Sequence, residues 1–511
     1  MRVLVVGAGR VGLTTAVALA RLQHEVVCLE KDAQRVETLR QGRPPFWEAG
    51  LAEALQGELA AGRLSFAHAG EPYRIAPGTQ AVILCVGTPS TPMGGIDMSQ
   101  LEDAVDFLLP RLEQHLRQAA PRPAATGNIG DVEGRAVVVL ATKSTVPVGT
   151  ARALATRIVA QGMAGQVVVA SNPEFLREGT ALADALHPDR IVIGVRESEA
   201  AALLQELYRG IDAPIVVTNW QTAELLKYAA NAFLATRLSL INELADLAEA
   251  TNADIVQIAR GIGLDPRIGP HYLRAGLGYG GSCLPKDVAG LIHVAAAQGV
   301  PPLLLTAVAT VNALRPGKVV ERLRQALGGC LTSKVVAVLG LSFKGGTDDL
   351  RSSPALEVIR LLVQAGARVR AYDPAYAPPN VVPPANPDTN NAGHEHDAGQ
   401  RSVHEPSSGA HAGAAADLRD VFPDHALVSG QILGEAVEML PHAYEAARGA
   451  QAVVVLTDWN EFTQLDWERM GKAMAGRVVL DARLCLDAAS LSEAGFVYIA
   501  PGRGQFPEGG C

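Results

Sequence analysis

The sequence is poor in cysteine, in aromatic residues and in surplus positive charge. Its 511 residues include six cysteines, none of them in a C-x-x-C pair. Scattered single cysteines are typical of a reducing compartment and not of a secreted protein held by disulfides. The net charge of −9 excludes the basic surface that nucleic acids and anionic membranes require. We therefore expect a cytoplasmic protein without nucleic-acid or membrane partners.

Export and membrane-insertion signals are also missing. The amino terminus MRVLVVGAG enters a strand pattern and a glycine turn and does not have the pattern of a signal peptide. No uninterrupted apolar run approaches the length of a membrane span. A chain of 511 residues is too long for one hydrophobic core, so we expect two to three domains.

The first thirty residues have the order of a dinucleotide-binding unit: strand, glycine turn, helix, second strand and acid. The apolar run 3–6 leads into G-x-G-x-x-G, and Glu30 closes the second strand. In such a unit Gly7 makes the tight turn, Gly9 lets backbone N–H groups reach a pyrophosphate, and Gly12 allows the helix to pack closely on the strand. Glu30 is placed to accept hydrogen bonds from ribose hydroxyls, so the sequence predicts a dinucleotide site.

Three further strand patterns each end in polar residues. They run into Thr88, into residues 143–150 and into residues 172–179. Because ligands of open α/β sheets lie beyond the carboxyl ends of the strands, these loops should converge on the same crevice as the glycine turn. We predict one doubly wound domain over residues 1–210.

A long helical pattern without glycine or proline covers residues 219–250. A helix of about 30 residues would span about 45 Å, which is enough to link two domains and to support a subunit interface. Lys227 and Asn231 are four residues apart and project from one face. Taken alone, such a pair is typical of a solvated helix face.

A second βαβ-like pattern covers residues 334–373, and further strands follow within 450–487. It has neither G-x-G-x-x-G nor a G-K-[ST] phosphate loop. Residues 377–416 are rich in Pro, Asn, Gly, Ser and His, and this composition predicts a disordered insertion. Within it, His394 to Asp397 lacks anything that would fix a coordination geometry, so we predict no metal site.

One cysteine lies in an unusual setting, the stretch GYGGSCLPKD at 278–287. Glycines let a ligand approach the backbone, and Lys286 could hold the Cys283 thiol as a thiolate. A cysteine beside a hydride-accepting cofactor is useful when an aldehyde must be trapped and oxidised again. The thiolate adds to the carbonyl, a second hydride leaves, and water cleaves the thioester. The residues therefore suggest a four-electron oxidation of a primary alcohol to an acid.

With this loop included, the sequence resembles the UDP-glucose/GDP-mannose dehydrogenase family over nearly its whole length. The matching stretches, in chain order, are GAGRVG, CVGTP, KSTVPVGT, NPEFLREG, PDRIVIG, ELLKYAANAFLATRLSLINELA, DPRIG, GYGGSCLPKD, SFKGGTDDLRSSP and LTDWNEF. The resemblance implies an α/β fold with two Rossmann-like doubly wound domains joined by a long central helix. The implied domains are an NAD-binding domain (1–210), a central helical dimerisation domain with the cysteine loop (211–318), and a UDP-sugar-binding domain (319–511).

The resemblance also implies roles for individual residues. The catalytic set is Cys283, Lys227, Asn231, Asp287, Glu178 and Thr145. Cys283 is similar to the family's nucleophile, and Asn231 would donate to the developing oxyanion. Lys227 and Asp287 would orient water and handle protons, while Thr145 would position water between cofactor and substrate. Which group takes the proton in the first oxidation stays open at this point.

Cofactor and substrate residues follow from the same resemblance. The NAD set is Gly7, Gly9, Val11, Gly12, Glu30, Arg35, Thr88, Thr145, Glu178, Lys286 and Arg351. The set for the nucleotide sugar, UDP-glucose in the branch that the stretch 267–280 resembles most, is Glu174, Phe175, Leu176, Glu178, Lys227, Asn231, Arg267, Tyr272, Leu273, Arg274, Ala275, Gly276, Gly280, Lys344 and Arg483. An acid at position 30 favours NAD over NADP because it would repel a 2′-phosphate, although Arg35 lies close by. Arg267 is expected to reach across a dimer interface.

Three departures from the family pattern leave the reacting groups in place. Glu30 stands where an aspartate is usual, Ala482 stands beside Arg483 where a glycine is usual, and Leu284 stands where the UDP-glucose branch often has phenylalanine. Two alternatives stay open on the sequence: the same chemistry on GDP-mannose or a UDP-N-acetylhexosamine, and a sensor of nucleotide sugars without catalysis. The intact cysteine, lysine, asparagine and aspartate argue against the sensor, which needs none of them.

Overall fold

The computed structural model describes residues 1–118, 137–376 and 436–503. The predicted insertion at 377–416, and residues 119–134 of a predicted surface loop, lie outside these ranges. By its internal contacts the chain divides into two compact units. The first is Met1–Arg237 with Ser282–Thr310, and the second is Leu238–Gly281 with Val311–Cys511.

An eight-stranded sheet forms the framework of the first unit. Its strands are β1 Arg2–Val6, β2 Glu25–Glu30, β3 Leu64–His68, β4 Thr79–Leu84, β5 Val138–Thr142, β6 Val167–Ser171, β7 Ile191–Val195 and β8 Ile215–Thr218. Their order is β3-β2-β1-β4-β5-β6-β7-β8, and only the β6–β7 pairing is antiparallel. The central strands are buried on both faces, as in VVLAT of β5, which is why they appear in the sequence as continuous apolar runs.

Helices cover both faces of this sheet. They are α1 Arg10–Arg21, α2 Ala33–Arg40, α3 Leu51–Ala60, α4 Ser99–Gln118, α5 Thr150–Ala160, α6 Ala181–Leu186 and α7 Ser198–Leu207. Two separate apolar clusters result, one containing Leu13 and Val17 of α1 and the other containing Leu101 and Leu108 of α4. This is the two-sided packing of a doubly wound fold.

Four helices follow β8. They are α8 Trp220–Ala250, α9 Ile255–Gly263, α10 Leu284–Ala297 and α11 Leu303–Ala326. The long helix predicted at 219–250 is therefore present as α8, with 31 residues. Asp254 begins α9 by accepting hydrogen bonds from two of its first backbone N–H groups.

Helix α11 is long and largely apolar, although charged residues interrupt its sequence. Among the described residues it is the one helix long and apolar enough to cross a membrane by length and composition, with a mean hydropathy of 1.2 over 18 residues. Its Arg315 is fully buried and pairs with Asp246 of α8 at 2.7 Å. A helix of a packed protein passes the same test, so length and hydropathy carry no further conclusion here.

The second unit contains a six-stranded parallel sheet. Its strands are β9 Val335–Leu339, β10 Arg368–Tyr372, β11 Val437–Met439, β12 Ala452–Val455, β13 Val478–Asp481 and β14 Val497–Ile499, in the order β11-β10-β9-β12-β13-β14. Its helices are α12 Pro354–Gln364, α13 Ala443–Ala447, α14 Asn460–Thr463, α15 Trp467–Ala473 and α16 Ala488–Glu493. The prediction of two doubly wound α/β sheets and a long helix is confirmed. The division into three domains stays a prediction.

Candidate active site

The glycine turn after β1 has a separate physical reason for each glycine. Gly7 has a φ of +95°, which side chains rarely adopt. A Cβ on Gly12 would fall 1.8 Å from the Gly7 carbonyl oxygen, so helix and strand could not pack as they do. A Cβ on Gly9 would meet no protein atom within 4 Å. The space beside Gly9 is open, as close approach of a ligand requires.

The surroundings of this turn fit NAD. Helix α1 begins after Gly9 without a side-chain cap, so its first N–H groups suit a pyrophosphate, and Val11 lies in that first turn. Glu30 holds the turn in place, because its Oε2 accepts from the backbone N–H of Ala8 at 2.8 Å. Arg35 Nη1 lies 3.4 Å from the same oxygen. The acid is the last residue of β2, where the ribose of a dinucleotide is held, and Arg35 lies on the following helix α2.

Thr88 and Thr145, which follow β4 and β5, are in direct contact. The Thr88 hydroxyl donates to the Thr145 carbonyl oxygen at 2.8 Å. Next to it, the Ser144 hydroxyl donates to the Val86 carbonyl oxygen at 2.6 Å. The two polar loops are therefore joined at the carboxyl edge of the sheet, as the sequence predicts for parallel neighbours.

Cys283 is the residue immediately before α10 and is largely enclosed. Burial raises the pKa of its thiol, and the nearby carboxylate of Glu174 adds to this effect. Lys227 and the hydroxyl of Ser282 act in the opposite direction but do not outweigh burial. At neutral pH the resting form is therefore the thiol, which needs a proton acceptor before it can act as a nucleophile.

Lys227 of α8 is buried in an ion pair with Glu174, which follows β6. Lys227 Nζ lies 2.9 Å from Glu174 Oε1. Burial alone would lower the pKa of Lys227, but Glu174, and then Cys283 and Asp287, hold this pKa above its ordinary value. Burial alone would raise the pKa of Glu174, but the Lys227 ammonium holds it below its ordinary value. Both groups are therefore charged at neutral pH.

The loop after Glu174 is fixed by the same pair. The other oxygen of Glu174 accepts from the Leu176 N–H at 2.6 Å. The Phe175 ring lies with its centroid 5.4 Å from Lys227 Nζ. The three residues predicted to line the sugar site are thus held against the helix that carries Lys227.

Asn231, one turn beyond Lys227 on α8, is bonded to Asp287 of α10. Its Nδ2 donates to Asp287 Oδ2 at 2.5 Å, and Lys286 Nζ contacts the other carboxylate oxygen at 2.6 Å. Asp287 is fully buried. The amide predicted to stabilise an oxyanion and the acid predicted to handle protons are therefore direct neighbours, and Lys286 balances the acid's charge.

Three residues of this site, Ser282, Glu224 and Glu48, were not predicted from the sequence. Ser282 donates to Glu178 Oε1 at 3.0 Å, and its Oγ lies 3.5 Å from Cys283 Sγ. Glu224 accepts from the N–H groups of Gly149 and Ala151, at 2.6 and 2.8 Å. The sequence could have indicated Ser282 by its position next to Cys283. It could have indicated Glu224 by its spacing of three residues from Lys227 on the same helix.

Like Glu224, Glu48 accepts hydrogen bonds from two backbone N–H groups, but those of a different loop. It accepts from the N–H groups of Gly179 at 2.9 Å and of Ala181 at 2.7 Å. The bonded Gly179 adjoins Glu178, so Glu48 fixes the backbone of a predicted site residue. Glu48 is 131 residues away in the chain, and no local pattern in the sequence indicates this contact.

Several residues of the second unit that are predicted to bind the nucleotide sugar are buried or closely packed against other residues of that unit. Leu273 and Ala275 are buried, and Ala275 packs in a small core with Ile241 and Ala245. A Cβ on Gly276 would fall 2.6 Å from the Ala482 carbonyl oxygen. A side chain at these positions is therefore constrained by packing as well as by any ligand.

Close packing also explains Gly280, where a Cβ would fall 2.4 Å from the Ser352 carbonyl oxygen. Tyr272 has a φ of +60°, in the left-handed region, and therefore carries backbone strain. Arg274 Nη1 lies 3.6 Å from Asp458 Oδ2.

Four basic residues of the predicted sets also lie in the second unit. Arg483 donates to the carbonyl oxygens of Leu456 and Phe343, both at 2.7 Å, and of Gly278 at 3.3 Å. Lys344 Nζ lies 5.6 Å from the Phe343 ring centroid. The other two pair with acids two residues away in the chain: Arg267 with Asp265 and Arg351 with Asp349, each at 2.6 Å. Their roles toward a ligand stay predictions.

A metal has no evident site in the part of the chain that the structure describes, because no group of three or more His, Cys, Asp or Glu side chains there could hold one. The stretch from His394 to Asp397, at which no metal site is predicted, lies outside the described residues. The first unit contains a thiol, a lysine–carboxylate pair, an amide–carboxylate pair and a third carboxylate, together with a turn that fits NAD. These are the parts of hydride transfer combined with covalent catalysis.

Comparison with known proteins gives matches to three domains of one family, the UDP-glucose/GDP-mannose dehydrogenases. The family's NAD binding domain matches residues 1–119 and 122–212, its central domain matches 221–314, and its UDP binding domain matches 337–488.

Two similar curated proteins are both UDP-glucose 6-dehydrogenases. One, from Rhizobium meliloti (strain 1021), is 36% identical over 98% of this chain and 100% of its own length. The other, from Pseudomonas aeruginosa, is 36% identical over 98% of both chains.

Two solved structures are similar over the full chain. A UDP-glucose dehydrogenase from the hyperthermophilic archaeon Pyrobaculum islandicum is 33% identical with a TM-score of 0.76, over 99% of this chain and 98% of its own. A UDP-D-ManNAc dehydrogenase from Pyrococcus horikoshii is 25% identical with a TM-score of 0.75, over 99% and 100%.

Proposed function

Because the chain belongs to the UDP-glucose/GDP-mannose dehydrogenase family and is an NAD-dependent nucleotide-sugar dehydrogenase, we propose that it oxidises UDP-glucose at C6 to UDP-glucuronate. The oxidation takes two steps of two electrons each, the second through a covalent adduct on Cys283. Relatives named UDP-glucose 6-dehydrogenase, 36% identical over nearly the whole chain, support this substrate.

The observation that carries the proposal is the position of Cys283 at the start of α10, where its carbonyl oxygen accepts from the Asp287 N–H at 2.8 Å and the Asp287 carboxylate accepts from Asn231 of α8. An oxidation that stops at the aldehyde has no use for a nucleophile. An oxidation that continues to the acid needs one, because an aldehyde must gain a substituent before it can lose a second hydride. A cysteine among paired, buried charges is suited to that task.

In the proposed reaction, the turn of Gly7 to Gly12 would hold NAD, which would take up one hydride in each oxidation, and the proton of the C6 hydroxyl would leave to solvent in the first. After the first, the Cys283 thiolate attacks the C6 aldehyde, and the new C–S bond leaves an alkoxide that the Asn231 amide and Lys227 ammonium can stabilise. Loss of the second hydride leaves a thioester at Cys283. Water then attacks the thioester carbonyl, the C–S bond breaks, and the carboxylate leaves with the thiol restored. Asp287, within reach of Asn231, orients that water and accepts its proton.

The test is the yield of NADH per sugar with limiting UDP-glucose and excess NAD, beside GDP-mannose and UDP-N-acetylglucosamine. We expect two NADH per UDP-glucose and none from the other two sugars. One NADH per sugar would mean that the aldehyde is released and that Cys283 does not act as proposed. The Cys283→Ser variant should still bind the nucleotide sugar and should form no acid, because a hydroxyl is a much poorer nucleophile here.

A second candidate substrate is a UDP-N-acetylhexosamine. The full-length likeness to the UDP-D-ManNAc dehydrogenase of Pyrococcus horikoshii, at 25% identity, supports it. The two relatives that are 36% identical support UDP-glucose more strongly. Two NADH from UDP-N-acetylmannosamine and none from UDP-glucose would decide for the second candidate.

We also propose that the enzyme is a homo-oligomer that joins through α8. Phe233, Leu240 and Leu247 are seven residues apart, lie along one face of the helix, and are 64%, 54% and 59% exposed. We call these three residues the apolar face of α8. Exposed apolar side chains that repeat along a helix are typical of a subunit interface, and a second copy of this chain offers the same face. We place the enzyme in the cytoplasm, where its free cysteines stay reduced.

A further inference from the structure

The Ser282 hydroxyl lies between the two groups that must exchange a proton if Cys283 is to become a nucleophile. Its Oγ is 3.0 Å from Glu178 Oε1 and 3.5 Å from Cys283 Sγ. A hydroxyl has one proton to donate and two lone pairs to accept with. Because an ionised carboxylate can only accept, the Ser282 proton points to Glu178. The oxygen lone pairs therefore face the sulfur, and the thiol S–H donates to Ser282.

We propose that Ser282 is a catalytic residue that carries the thiol proton of Cys283 to Glu178. This inference rests on the proposed function, since it concerns the step that prepares Cys283 for attack on the aldehyde. The S–H bond breaks as a new bond forms from that proton to Ser282 Oγ, and the original O–H bond of Ser282 breaks as Glu178 becomes a carboxylic acid. No electron leaves the group, and the net charge of the three side chains stays at one negative charge.

After the transfer each hydrogen bond of the chain reverses its direction, and the reversed bonds stabilise the Cys283 thiolate. Glu178, now protonated, donates to Ser282 Oγ, and the Ser282 hydroxyl donates to the Cys283 thiolate. Hydrogen bonds to an ionised group are the strong ones. The serine therefore stabilises the thiolate as well as conducting its proton.

The other charged groups near Cys283 are not the ones that Ser282 connects to the sulfur. Lys227 is already an ammonium ion, held in that form by Glu174. Glu174 is itself stabilised as a carboxylate by the lysine. Asp287 accepts from Asn231 and contacts Lys286. Glu178 is the acid that the serine connects to the sulfur, so the geometry favours it.

The experiment is the pH dependence of alkylation of Cys283 by iodoacetamide, without sugar or NAD, followed by mass spectrometry of the peptide that contains it. Alkylation requires the thiolate. Below the thiol pKa, alkylation of a simple thiol slows about tenfold for each unit of pH, because the thiolate fraction falls by that factor. With internal transfer to Glu178, the form with a Cys283 thiolate and a protonated Glu178 holds as many protons as the form with a thiol and a carboxylate. The ratio of the two forms does not change with pH, so the wild-type rate levels off over the range where the pair holds one proton. That plateau is the predicted signature.

The variants test the relay directly. Ser282→Ala and Glu178→Gln should each abolish the plateau, so that alkylation slows about tenfold for each unit of pH below the thiol pKa. The double variant should be no slower than either single one, because the two residues act as one path. Ser282→Thr keeps the hydroxyl and should restore the plateau. The exposed Cys330 is an internal control whose rate should be the same in all variants.

A serine with only a structural role would leave the shape of this profile unchanged. Profiles of Ser282→Ala and wild type that coincide, or losses in the double variant that add, would overturn the relay. Circular dichroism and NAD affinity show whether each variant has folded. If Ser282→Ala does not fold, the profiles of Glu178→Gln and Ser282→Thr still test the relay. Alkylation needs no turnover, so the two proposals can fail separately. A wild type that makes no NADH from any sugar would contradict the proposed function. The presence or absence of the plateau would still show whether the relay exists.

Discussion

Lys227 Nζ lies 2.9 Å from Glu174 Oε1, and only 4% and 7% of the two side chains are exposed. Neither charge could be buried alone, because an isolated ion loses its hydration without compensation. The lysine comes from a helix and the acid from a loop after a strand. Their pairing therefore joins α8 to the sheet at the point where the chemistry is proposed.

Removing one member of this pair should destabilise the first unit strongly. Lys227→Met or Glu174→Gln leaves a buried charge without its partner, at a cost of about 3–5 kcal/mol, or a fall in the unfolding midpoint on the order of 6 °C or more. The double variant should recover much of that loss, since no unpaired charge remains. Differential scanning calorimetry of the three variants measures this. A double variant as unstable as the sum of both single ones would contradict the pairing.

The same pair predicts how stability depends on pH. The folded pKa of Glu174 lies below its ordinary value of 4.5, so its contribution is present above that pH and is lost as pH falls through the folded pKa. The folded pKa of Lys227 lies above its ordinary value of 10.5. The contribution of Lys227 to stability is therefore lost only as pH rises through this folded pKa. The difference in midpoint between wild type and Glu174→Gln should therefore be full at neutral pH and shrink in acid. An unchanged difference in acid would exclude the pair as its source.

The sequence predicted those features that repeat locally. Apolar runs bounded by glycine and polar residues predicted the two sheets, and a stretch without glycine or proline predicted α8. The antiparallel β7 was not predicted, because a strand pattern does not contain its direction. Among site residues, Cys283 was predicted from its unusual neighbours. The contact of Glu48 with Gly179 was not predicted, because it joins parts of the chain that only folding brings together.

Two glycines of one motif should respond differently to a methyl group. Gly12→Ala places a Cβ 1.8 Å from the Gly7 carbonyl oxygen and should cost roughly 1–3 kcal/mol in stability as well as NAD binding. Gly9→Ala meets no protein atom within 4 Å, and its φ of −72° suits alanine. Gly9→Ala should therefore fold normally and bind NAD at least about tenfold more weakly. Thermal unfolding and an NADH fluorescence titration measure the two effects.

A matched control for this pair is Gly57→Ala in α3, where a Cβ also meets no atom within 4 Å but no cofactor is expected. It should leave NAD affinity close to wild type and should not lower the unfolding midpoint, because alanine is about 1 kcal/mol more favourable than glycine inside a helix. Full NAD affinity in Gly9→Ala would mean that the open space beside this residue does not receive the pyrophosphate.

Glu224 should act as a positioning residue for the loop that carries Thr145. Glu224→Ala leaves the buried N–H of Ala151 without its acceptor, at about 1–3 kcal/mol, and also removes the acceptor of the partly buried N–H of Gly149. Hydrogen exchange in a peptide covering residues 143–155 should then speed up by at least about tenfold. Glu102→Ala, at an exposed glutamate of α4, is the control and should leave this peptide unchanged. Equal exchange in both variants would show that the loop does not depend on Glu224.

The apolar face of α8 should determine the oligomeric state. Leu240→Glu puts a charge into the proposed interface, where a second copy would bury it without a partner, so the oligomer should dissociate into monomers. Size-exclusion chromatography with light scattering measures the mass directly. Val159→Glu makes the same kind of change at a side chain of α5 that is 62% exposed and lies outside this face. The control should keep the wild-type mass, whereas an oligomer that survives Leu240→Glu and Leu247→Glu together would place the interface elsewhere.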